Sequence, residues 1–129
     1  MTKIIAIMIG GGLGSAFRYA LFNLVSRVSG PQFPAGTLAA NLLGSFAIGF
    51  LWCLFEGTKL SNEWRLFIFT GILGGFTTFS TFSRETTQLI KVGEWKTAIT
   101  YILVTNSFGI AMVFLGFFLA RYFSPLAKH

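Results

Sequence analysis

The sequence predicts an all-α membrane protein: one integral domain, residues 1–129, of four transmembrane helices with a break in the third. Three observations predict it. Charged residues make up 11% of the chain, against about a quarter in a globular sequence. Hydrophobic residues reach 53%, and the mean hydropathy is +0.70. The charges also cluster, since residues 4–17, 28–55, 66–83 and 97–120 contain none, giving runs of 14, 28, 18 and 24. About 18 apolar residues without charge are enough to cross a bilayer as a helix, the form that satisfies its own backbone in hydrocarbon.

Four spans of about 20 residues use roughly 80 positions and leave about 50, too few for a soluble domain. One subunit is also too small to enclose a wide cavity, so transport would need an oligomer. The lone Cys53 excludes an internal disulfide and a cysteine metal cluster, and reads as a small apolar packing residue. The single histidine is His129, the last residue, so no His-based catalytic or metal constellation exists and no enzyme is expected. A formal charge of +6 would suggest nucleic acid in a soluble protein. Here the ten Lys and Arg residues are scattered singly over loops and ends, a pattern that suits lipid headgroups and not nucleic acid.

The first span covers about 4–26 and carries Gly10 and Gly14, a small-xxx-small pair that lets helices approach closely. It resembles a signal peptide at its start, but it has no Ala-x-Ala-like cleavage site and Arg18 interrupts the apolar run. Residues 27–35 form a turn, because Pro31 and Pro34 break helices and Gly30 permits a tight bend. The second span covers about 36–55, followed by a polar connection with Trp64 as an interface anchor. The third covers about 66–89, then a short loop over Lys91–Lys96 carries Trp95. The fourth covers about 97–120 and ends in a tail marked by Arg121 and Lys128.

Four spans put Lys3, Lys59, Arg65, Arg121 and Lys128 on one side, five in all, and Arg27, Arg84, Lys91 and Lys96 on the other. Arg18, about eight residues or 12 Å from its helix end, can snorkel to the second side. The count becomes five against five, and the excess of Lys and Arg that fixes orientation is missing. Insertion both ways with antiparallel pairing is one consequence; a weaker bias fixing one orientation is the other.

Polar groups inside the spans carry the functional signal, since each is expensive to desolvate. Asn41, Ser45 and Gly49 share one face of the second span. Asn41 suits either a permeating ion or a bond to a neighbouring helix. Residues 70–83 read TGILGGFTTFSTFS, with five hydroxyls between Thr77 and Ser83 and phenylalanine at 76, 79 and 82. A period of three is not the 3.6 of a regular helix, and Gly74-Gly75 in front predicts a helix break near these glycines. Hydroxyl protons and the positive edges of aromatic rings suit a small anion. The alternative is packing through Gly71-xxx-Gly75, with the hydroxyls bonded back to their own helix. No Asp or Glu lies deep in a span, which argues against a proton-coupled pump. Thr105, Asn106 and Ser107 add a polar cluster to the fourth span.

The segments GGGLGSAFR (10–18), PAGTLAANLLGS (34–45) and GGFTTFSTFSRE (74–85) resemble the Fluc/CrcB fluoride-channel family, over essentially the whole chain. That resemblance implies a dual-topology antiparallel homodimer in the inner membrane of a bacterium or other microbe, with two fluoride pores and passive export of fluoride. It implies a structural, untransported sodium ion held by the carbonyls of Gly74 and Thr77 from each subunit. It places Phe79 and Phe82 as pore phenylalanines, Asn41 as the pore amide, and Ser80 and Thr81 in a polar track. Arg18 and Glu85 match positions with vestibule or assembly roles. Where several relatives carry a pore serine in the fourth span this chain has Gly109, with Asn106 or Ser107 as substitutes. A small dual-topology proton-coupled transporter would need an embedded carboxylate, and a non-conducting scaffold would keep its assembly but pass no ion.

Overall fold

A computed structural model describes residues 1–30 and 32–123; Pro31 and the tail with Lys128 and His129 lie outside the described residues. The order is α1 (Thr2–Ser29), α2 (Ala35–Phe55), α3 (Asn62–Arg65), a π-helical segment (Leu66–Leu73), α4 (Gly74–Phe76), α5 (Phe79–Lys91) and α6 (Trp95–Phe123). No strand occurs among the described residues. Four helical stretches, Thr2–Ser29, Ala35–Phe55, Asn62–Lys91 and Trp95–Phe123, are long and apolar enough to cross a membrane.

The helices run past the charge-free stretches, because single Lys and Arg residues at the ends are good helix formers. The turn expected over 27–35 is therefore shorter. Arg27 to Ser29 stay helical, and Gly30 stops α1 at φ 78°, a left-handed backbone that a side chain would oppose. Lys91 likewise closes α5 and Trp95 opens α6. At the far end, Arg65 donates from Nη2 to the carbonyls of Phe55 (3.1 Å) and Thr58 (3.3 Å). One cation thus satisfies a terminal carbonyl of α2 and fixes the connection to α3.

Packing rests on glycine. Helices α2 and α6 share the most extensive contact, where a Cβ at Gly49 would strike the Val113 carbonyl and one at Gly116 the Phe46 carbonyl. Cys53 and Ala120 are buried in this seam against Phe50 and Phe117, which agrees with the packing role read for the cysteine. Helix α1 lies on the π-helical segment and α4: Gly10 meets Phe67 and Gly71, Gly14 meets Ile72, and Gly75 meets Gly11. The two small-xxx-small pairs therefore face one another, backbone to backbone, as close helix association in lipid requires. Outward, Met8, Leu103 and Phe118 are exposed, as lipid-facing side chains are.

Two features refine the expectation. The break falls near Gly74-Gly75 but just after them: Gly74 is helical (φ −63°, ψ −36°), and Gly75 is occupied in packing on α1. The extended residues are Thr77 (φ −86°, ψ 156°) and Thr78 (φ −151°, ψ 115°), a β-branched pair suited to that backbone. The π-helical segment was not anticipated. Its wider i→i+5 turns, a form that recurs at functional sites, end where the Gly74 N–H is shared between the carbonyls of Gly71 and Phe69.

Candidate functional site

The site grows from the break. Thr78 caps α5, its Oγ1 accepting the Thr81 N–H at 3.2 Å. Asn41 clasps the same residue from α2: its Oδ1 accepts the Thr78 N–H (2.8 Å) and its Nδ2 donates to the Thr78 carbonyl (3.1 Å). In a continuous helix the carbonyls of Gly74 and Thr77 would accept from Thr78 and Thr81, four residues on. Both of those N–H groups are committed elsewhere, so these two carbonyls lose their helical donors. The Gly75 carbonyl is met by Arg18 Nε at 3.0 Å. Arg18 is thus turned into the bundle at the break and does not simply snorkel along its helix.

A cavity of about 380 Å³ opens between α2, the break and α6, lined by Asn41, Ser45, Gly74, Thr77, Thr78, Phe79, Phe82, Thr105 and Asn106. The Phe79 and Phe82 rings lie 5.8 Å apart and are tilted by 49°. Phe82 is buried edge-on to Tyr101 (4.9 Å), whereas Phe79 is 78% exposed. The fold therefore brings Asn41, Gly74, Thr77, Phe79 and Phe82 to one place.

Ser80 and Thr81 are not among the residues lining that cavity. They join Thr78 in a hydroxyl cluster at the start of α5, with Thr78 Oγ1 3.1 Å from Thr81 Oγ1 and 3.4 Å from Ser80 Oγ. Gly109 faces Ser45 across the α2–α6 seam. Asn106 returns its Nδ2 to the Ile102 carbonyl, as a helix-bound amide does. Glu85 lies further along α5, half-buried, accepting from the hydroxyls of Thr37 (3.0 Å) and Tyr101 (2.8 Å). It is the carboxylate of a spanning helix that sequence reading placed merely past the hydroxyl stripe. Thr37 and Tyr101 were missed. Thr37 precedes Asn41 by four residues, so the helical face already singled out for Asn41 contained it. Tyr101 carried no such signal, because its role depends on α5 packing against α6.

The family described as CrcB-like protein, Camphor Resistance (CrcB), matches residues 5–117. The chain belongs to the CrcB family. Among its relatives, proteins named "Fluoride-specific ion channel FluC" span nearly its whole length. The one from Desulfotalea psychrophila is 47% identical over 120 residues, 93% of each chain. That from Roseiflexus sp. is 48% identical over 92% of this chain and 97% of its own. That from Parabacteroides distasonis is 41% identical over 99% and 100%. These CrcB relatives are named as channels, not enzymes.

Proposed function

We propose that this CrcB protein is a fluoride-selective channel that lets fluoride leave the cytoplasm passively, working as a dual-topology antiparallel homodimer with two pores and a central structural sodium ion. Its place is the inner membrane of a bacterium or other microbe. The observation that carries the reading is the cavity at the break, where an amide, hydroxyls and two phenylalanines converge and no carboxylate lines the wall. Relatives named as fluoride-specific channels supply the anion.

Fluoride is small and tightly hydrated, so a path must replace water with several donors at once while binding weakly enough to release. Asn41 spends one N–H on Thr78 and keeps its second for the cavity. Phe79 and Phe82 offer ring edges, the positive rim of the aromatic quadrupole. Ser80 and Thr81 extend the polar track from the start of α5. Gly74 and Thr77 offer the two carbonyls freed by the break, the kind of unwound-backbone oxygen that coordinates sodium in membrane proteins. A second, antiparallel copy would double that donor set about a two-fold axis. When bound there, sodium supplies the positive charge that holds these dipoles of both subunits together. Arg18, on the Gly75 carbonyl, steadies the same turn.

Glu85 is the observation that favours the rival proton-coupled transporter. Both its oxygens already accept hydrogen bonds from Thr37 and Tyr101, which suits an anchored strut better than a moving relay. Export is tested in bacteria lacking their own fluoride exporter. Cells expressing the chain should accumulate less fluoride and grow in concentrations that arrest the parent strain. Unchanged accumulation despite normal membrane insertion would leave the scaffold reading in its place.

A further inference from the structure

Serine and threonine in a membrane helix ordinarily return their hydroxyls to a carbonyl one turn back. Thr77, Thr86 and Thr100 do so in this chain, at 3.0, 2.8 and 2.9 Å. Two residues at the cavity have no hydroxyl partner at all. The hydroxyl of Ser45, one turn beyond Asn41 on the same face of α2, makes no hydrogen bond among the described residues. Across from it on α6, Thr105 Oγ1 is buried without a partner. Both line the cavity. One turn on from Thr105, a Cβ built at Gly109 would meet a single neighbour, the Ser45 Oγ, at 3.8 Å. The α2 hydroxyl thus borders the space that a side chain at 109 would otherwise fill.

We propose that Ser45 is a donor of the conduction path, giving the hydroxyl to a passing small anion that α6, with glycine at 109, does not give. Together with the free Nδ2–H of Asn41 and the unpaired Thr105 hydroxyl it makes a second coordination station, one helical turn from the Asn41–Thr78 clasp. An anion fits these groups because each can point a proton inward, and no acidic side chain lines the cavity. The proposal rests on the channel reading above.

The test is fluoride efflux from proteoliposomes holding wild type, Ser45→Ala, Ser45→Ala/Gly109→Ser or Ser45→Ala/Gly109→Ala, each matched for elution and thermal unfolding. Wild type should conduct, Ser45→Ala should be slower by about tenfold, and Gly109→Ser should recover most of the loss where Gly109→Ala does not. Conduction by wild type with an unslowed Ser45→Ala would overturn the Ser45 role and leave the channel reading standing. A loss that Gly109→Ser fails to recover, or that Gly109→Ala recovers equally, would also overturn it, by assigning Ser45 to packing. A well-folded wild type that passes no fluoride would remove both.

Discussion

Replacing Asn41 with alanine removes both bonds that hold the break open, to the N–H (2.8 Å) and to the carbonyl (3.1 Å) of Thr78. Interhelical hydrogen bonds in membranes average about 0.6 kcal/mol each and reach about 1.7. The half-buried Thr78 groups left behind raise the loss toward the range of about 1–3 kcal/mol for an orphaned polar group. Asn41→Ala should therefore destabilise the folded protein by about 1–3 kcal/mol and also lose fluoride flux. Unfolding in detergent gives the global loss, and amide hydrogen exchange at Thr78 gives the local one. Exchange there should quicken by about tenfold for every 1.4 kcal/mol of lost opening free energy. Unchanged stability together with unchanged Thr78 exchange would refute the clasp. An alanine at Asn41 hence cannot by itself separate a pore from a scaffold, since both readings expect it to loosen the fold.

Phe79 separates them better. At 78% exposed it makes little packing within the subunit, so Phe79→Ala should leave the unfolding temperature near wild type while cutting fluoride efflux about tenfold or more. Gly75→Ala would push a methyl to 2.5 Å from the Gly11 carbonyl oxygen. It should cost about 1–3 kcal/mol by overpacking, as read by detergent unfolding. Gly12→Ala, whose methyl meets nothing within 4 Å, should be neutral or slightly stabilising. Thr78→Ala removes the cap on Thr81 N–H, costing about 1 kcal/mol of helix stability. It lets that N–H return to the Thr77 carbonyl, so sodium should raise the unfolding temperature of Thr78→Ala less than that of wild type.

The four spans were legible because a membrane demands long charge-free runs, and hydrocarbon leaves a chain few other ways to satisfy its backbone. Their ends were not. Arg27 and Lys91 remain helical although each bounds an apolar run. The three-residue spacing of Phe76, Phe79 and Phe82 announced a break near Gly74-Gly75, but not that it falls at Thr77-Thr78 and spares the glycines. Glycine serves close approach as readily as bending, and here Gly75 is spent on Gly11. The deciding contact, Asn41 with Thr78, joins residues 37 apart in sequence and was visible only as a polar residue awaiting a partner. The Thr37–Glu85–Tyr101 cluster needed three helices at once, and no local pattern encodes that.

The most direct measurement is fluoride release from proteoliposomes of the purified protein, followed with a fluoride electrode at equal pH on both sides, with chloride release in parallel. Rapid fluoride release without chloride release, and without need of a proton gradient, is the expected result. No release from well-folded protein with sodium present, or release that requires a proton gradient, would contradict a passive fluoride pore at the broken third helix.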